Sequence, residues 1–321
     1  MGVKLVLDEC EAVLEAIEAD LTGNSALRDR AVEKVFAAQG YRWLKERESA
    51  MGNLGQPFVD SEFEEFVLSA GLKTRFQQLR TAIQDLKHLD LDKLVRQAKE
   101  YLPENCAVDS YIVPLIKPLK NSFVYPIDDK IVVFLYLDSQ YNRGKTENTI
   151  IHELHHVGLG FVYQENSPVL RSASKPTVRE MIKWTQALGE GYAMLAASGG
   201  ADRHPSCHDL ELKKNWDKRM EFFEADFLRV NQFFADLLNH QYDEEEAMKR
   251  GLEMMGTQGP WYTVGWQVAV TIERVYGRQC LVECIANPTL LFATFNRAAE
   301  IYNRDNRVSL PTWSQELITA V

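Results

Sequence analysis

The chain reads as an α+β protein, mainly helical. A small β-sheet and the helix after it lead into a helical C-terminal subdomain, and a helical N-terminal region precedes them. Three observations predict this. Apolar residues recur at helical spacing through residues 1–103 and again from about residue 166 onward. Between residues 107 and 137 the period shortens, and β-branched and aromatic residues crowd together. Directly after that stretch, an apolar helix carries the polar cluster His152-Glu153-Leu154-His155-His156.

Taken in order, residues 1–20 form an amphipathic acidic helix, with Val13, Leu14, Ile17 and Leu21 on one stripe. Asn24 or Ser25 can cap the next helix, over residues 26–51, which buries Val32, Val35, Phe36, Trp43 and Leu44. Gly52, Gly55 and Pro57 break it. Helical patterns then cover residues 63–89, with a break near Gly71, and residues 91–102, stopping before Pro103. The expected division is therefore a helical region over 1–103 and a second domain over 104–321. That second domain divides into 104–165 (sheet and polar helix) and 166–321 (helices).

Residues 110–116, 121–125 and 130–137 read as three strands, with a turn at residues 126–129. The last of them could lie along a cleft and pair with an extended peptide by strand addition, or the sheet could serve only as a packing platform.

The polar helix holds the chemistry. Helical residues four apart lie nearly one above the other, so His152 and His156 can both reach one divalent ion, at about 2.0–2.1 Å per Zn–N bond. Glu153 points about 100° round the helix, beside such an ion rather than onto it, where a general base belongs. Ile150, Ile151, Leu154 and Val157 give the helix an apolar bed. The cluster starts after residues 146–149 and ends at Gly158 and Gly160. His155, about 60° from His152, reads as a supporting or substrate-side group.

Zinc needs a third protein ligand. Residues 177–198 read as one helix, and within it Gly189-Glu190-Gly191 sets one carboxylate between two glycines. Each glycine costs a helix interior about 1 kcal/mol, and a close approach to the polar helix would explain them. Glu190 is therefore the chosen third ligand, with Glu180 and Glu165 as competing carboxylates. The loop with His204, Cys207 and His208 reads as polar loop rather than a second ion site. A long helix over residues 210–239 is aromatic-rich and reads as core, and another starts at the acidic residues 243–246. Gly259-Pro260 opens a helix whose first turn holds Tyr262, where a phenol could donate to the oxyanion of a tetrahedral intermediate. A last helix runs from Pro288 to about Tyr302, and residues 311–321 form a tail.

Composition narrows the classes. With 321 residues, 45% hydrophobic and 26% charged, the chain can bury a sizeable core. A net charge of −10 with no basic stripe argues against nucleic acid as partner. No run approaches the ~20 apolar residues of a membrane span, and no secretory leader pattern opens the chain. Five scattered cysteines suggest no disulfide framework, and a cytoplasmic location is the expectation.

On His152, Glu153, His156, Gly189-Glu190-Gly191 and Ala193, with Tyr262 and Gly265 as weaker support, the chain resembles gluzincin-type zinc metallopeptidases. It is most similar to bacterial proteins described only as zinc-dependent peptidases. The resemblance is specific over about residues 137–198. It implies a zincin-like core and one Zn²⁺ held by His152, His156 and Glu190. It further implies Glu153 as the base that activates water, Tyr262 as oxyanion donor, and a peptide or protein substrate. Two departures stand out: a long gap from His156 to Glu190, and no evident acid or amide to orient a ligand histidine. A zinc hydrolase of another amide or ester, and a non-catalytic binding protein of this fold, are the alternatives. The presence of Glu153 argues against the second.

Overall fold

The computed structural model describes residues 2–51, 59–137, 142–164, 167–173, 175–256 and 258–321. It is mainly helical with one small sheet, as the sequence predicts. Two compact units emerge, Met1–Val95 with Val108–Leu154, and Arg96–Ala107 with His155–Val321. Of the three boundaries, those after Val95 and Leu154 fall inside helices, and the one after Ala107 falls between elements.

In the first unit, a two-residue strand β1 (Lys4–Leu5) precedes α1 (Asp8–Leu21), α2 (Ser25–Ala37), α3 (Gln39–Ala50), α4 (Asp60–Val67), α5 (Ala70–Lys73) and α6 (Phe76–Leu86). Helix α7 (Leu91–Lys99) leads toward β2 (Tyr111–Leu115), β3 (Phe123–Ile127) and β4 (Lys130–Tyr136), and α8 (Arg143–Gly160) follows. Asn24 caps α2 as expected, its side chain accepting from the Leu27 N–H. The expected 26–51 helix is two, because the backbone at Ala38 is extended. There Asp8 reaches across, its carboxylate accepting from the N–H groups of Gln39 and Gly40 and capping α3 from outside. The break expected at residues 52–57 lies outside the described residues.

The sheet has four strands rather than three, in the order β1-β2-β4-β3. β1 and β2 are parallel, β2 and β4 are parallel, and β3 returns antiparallel to β4. Strand β4 is therefore interior and paired on both sides, which leaves it no free edge for peptide addition and favours the packing-platform reading. Its Val132, Val133, Phe134 and Leu135 are buried on both faces, as befits a strand covered above and below. On one face Val132 and Phe134 join Trp43, Leu44, Val113, Leu115 and Ile127 in a core. The start of α1 is tied to the end of β2: the Cys10 thiol donates to the Pro114 carbonyl, and the Glu9 carboxyl accepts from the Ile116 N–H.

The second unit is helical: α9 (Pro168–Ser172), α10 (Pro176–Trp184), a 3-10 turn (Thr185–Leu188), α11 (Gly189–Ser198), α12 (Leu210–Met220), α13 (Phe223–Leu238), α14 (Glu244–Glu253), α15 (Pro260–Tyr276), α16 (Arg278–Ala286), a second 3-10 turn (Pro288–Leu290), α17 (Leu291–Asn306) and α18 (Gln315–Ala320). The single helix expected over 177–198 is thus divided just before Glu190, and that over 210–239 is divided near Glu221. The expected tail is structured. Trp313 is buried among Phe227, Phe234, Phe292 and Phe295, and α18 follows it. Among the described residues no helix is long and apolar enough to cross a membrane.

Candidate metal centre

Helix α8 is continuous over 18 residues and starts three residues earlier than the sequence suggests. The Asn142 side chain accepts from the Lys145 N–H at its start. Ile150 and Leu154 are fully buried, and Ile151 and Val157 nearly so, which fixes the face turned to the core. Gly158 does not end the helix. A Cβ there would lie 2.2 Å from Cδ1 of Leu102, so this glycine admits a neighbouring side chain. Glu153 is buried at 7% exposure, and His155 is fully buried.

Glu190 sits in the first turn of α11. Its two flanking glycines answer to different neighbours. A Cβ on Gly189 would come 2.3 Å from Cδ2 of Leu159 on α8, which is the approach expected of this segment. A Cβ on Gly191 would instead stand 1.9 Å from the backbone nitrogen of Trp266 on α15. Gly265 reciprocates, since a Cβ there would meet the Leu188 carbonyl at 2.2 Å. Backbone touches backbone at this crossing, which only glycine permits.

The result is convergence. One potential ligand atom from each of His152, His156 and Glu190 lies within 4.8 Å of the others. Nε2 of His156 and Oε2 of Glu190 are 3.3 Å apart. Atoms held 2.0–2.2 Å from a tetrahedral ion stand about 3.3–3.6 Å from one another, so this spacing fits a shared cation. Two imidazoles and a carboxylate are also a donor set that zinc accepts. Of the competing carboxylates, Glu180 is not part of the group, and Glu165 lies outside the described residues.

Tyr262 lies, as expected, in the first turn of a helix that opens at Pro260. That turn is pinned on both sides of the tyrosine. The Trp261 indole N–H donates to the Gly251 carbonyl at 2.8 Å, and the Thr263 hydroxyl donates to Asp226 at 3.0 Å. Asp226 also accepts from Arg219, while burial pushes its pKa up against that pull. Tyr262 is half-buried and precedes Gly265 by three residues, on the side of α15 that meets α11.

His204 is engaged elsewhere, with Nε2 2.9 Å from Asp217 and Nδ1 accepting from the Ser206 N–H. Its loop contributes no second ligand group among the described residues. Two features escape a sequence reading. Asn148, one turn before His152, has a buried side-chain oxygen with no hydrogen-bond partner among the described residues. Tyr101 and Leu102 lie against α8 through His155 and Gly158.

A histidine pair on one helix, met by a glutamate from another, makes a three-donor site suited to a divalent ion. The chain belongs to the family described as "Putative zinc dependent peptidase (DUF5700)", whose model matches residues 30–304. No curated protein and no solved structure matches it.

Proposed function

We propose that the protein is a zinc peptidase of the gluzincin type with a zincin-like core, and that it hydrolyses peptide bonds in peptide or protein substrates. The observation that carries this is the grouping of His152, His156 and Glu190 in a chain of a zinc-dependent peptidase family. His152 and His156 would hold the ion through neutral ring nitrogens, and Glu190 through one carboxylate oxygen. When bound, zinc supplies a Lewis acid that polarises the scissile carbonyl and acidifies water.

The protein's own groups do the rest. Glu153 takes a proton from the attacking water on its carboxylate and delivers it to the leaving nitrogen. Its burial shields that carboxylate from bulk solvent, on the same helix that carries both histidines. The Tyr262 hydroxyl donates a hydrogen bond to the oxygen on which negative charge develops.

The test is metal analysis of purified protein, then incubation with a peptide library with and without chelator. About one zinc per chain and chelator-sensitive cleavage are expected. Glu153→Gln should keep the zinc and abolish cleavage. A metal-free protein, or cleavage that survives Glu153→Gln, overturns the reading.

A further inference from the structure

The stretch Arg96–Ala107 belongs to the same compact unit as the C-terminal helices, although it precedes the sheet in the chain. It touches both helices that bring ligands into that unit. At α8, Nε2 of His155 is 3.2 Å from the Tyr101 carbonyl oxygen. A carbonyl only accepts, so this nitrogen carries the ring proton. One turn along, the Leu102 side chain occupies the space where Gly158 lacks one. At α11, the Gln97 amide donates to the carbonyls of Ala196 and Ala197, both at 3.0 Å. The stretch is itself braced from outside: the buried Tyr101 hydroxyl donates to Glu273 at 3.0 Å, and Arg278 lies over the Tyr101 ring and pairs with Glu100.

We propose that Arg96–Ala107 is a brace that sets the rotation of α8 against α11, with His155 as its positioning residue. His155 follows the base and precedes a ligand, yet its ring is turned to a backbone carbonyl and stands outside the ligand group. A helix rotated by 20° about its axis moves a side-chain tip 6 Å out by about 2 Å, as long as a metal–nitrogen bond. Holding that rotation is therefore a requirement of the site. The brace acts through groups outside the ligand set: the His155 ring, Gly158 and the Ala196 and Ala197 carbonyls.

This inference rests on the zinc reading above, and the test separates the two. Zinc affinity is measured by chelator competition, and ligand geometry by the visible spectrum of the cobalt-substituted protein, for wild type and variants. His155→Leu removes the donor and should weaken zinc 10–100-fold, the range for supporting groups around a metal, and shift the cobalt bands. His155→Gln keeps an N–H to donate and should recover most of both. Wild-type affinity and an unshifted spectrum in His155→Leu overturn the brace, whatever happens to its melting temperature. Should that variant fail to fold, Gly158→Ala serves instead. It should shift the bands by pressing on Leu102, and adding Leu102→Ala should restore them. A shift that Leu102→Ala leaves in place overturns the proposal. Wild type that binds neither metal defeats the zinc reading itself.

Discussion

Gly191 and Trp266 are in backbone contact: a single added carbon on the glycine would lie 1.9 Å from the tryptophan's main-chain nitrogen. Because Gly265 meets the Leu188 carbonyl in the same way, α15 and the start of α11 meet backbone to backbone. Glu190 and Tyr262 lie on these two helices, so the crossing governs their separation. Gly191→Ala must drive the helices apart. Overpacking of this kind costs about 1–3 kcal/mol or more. A denaturant midpoint that falls accordingly, together with lower peptidase activity, is the expected outcome, whereas Gly2→Ala, with open space around it, should change neither.

Glu190→Ala tests the third donor. Losing even a supporting group around a metal costs 10–100-fold in affinity, and loss of a direct ligand should exceed about 100-fold. Chelator competition measures this. Zinc affinity equal to wild type would remove Glu190 from the site.

Tyr262→Phe keeps the ring and removes the hydroxyl. Loss of one oxyanion donor typically lowers kcat by about 10²–10³, with KM and bound metal unchanged. Steady-state kinetics on a cleaved peptide will show it. A drop confined to KM would make the tyrosine a substrate contact instead.

Glu9 gives a prediction about pH. It is fully buried in the first turn of α1, and desolvation raises its pKa from 4.5 to about 8 despite the Ile116 N–H that it accepts from. The folded state therefore holds a proton that the unfolded chain releases above 4.5. Its stabilising contribution is complete below that pH and is lost as pH rises toward 8, at about 1.4 kcal/mol per unit. Glu9→Gln, which is neutral throughout, should be more stable than wild type at pH 7 by up to about 3 kcal/mol. The gap should close near pH 4.5. Melting curves across that range decide it, and parallel curves would contradict the burial argument.

Local pattern reached far in this chain. The positions of the strands, the continuous helix around His152 and His156, the opening of α15 at Pro260 and the cap at Asn24 are all written in neighbouring residues. So was the oddity of two glycines around one glutamate. Pattern failed where a distant group intervenes: Ala38 breaks a helical run because Asp8 caps the helix beyond it. The expected count of three strands failed likewise, since Lys4 and Leu5 become a strand only by pairing with Tyr111 and Ile112. Gly158 resembles a helix stop by composition and is a socket for Leu102 in space.

By itself the sequence determined which side chains share a helix face, because a repeat of 3.6 residues is a local property of the backbone. That is enough to pair His152 with His156 and to set Glu153 beside them. Only the tertiary structure decided that Glu190, rather than Glu180, faces that pair, and that Gly191 serves α15 while Gly189 serves α8. The reason is physical. Which carboxylate meets the histidines depends on how closely helices far apart in the chain can pack, and no residue's immediate neighbours contain that distance.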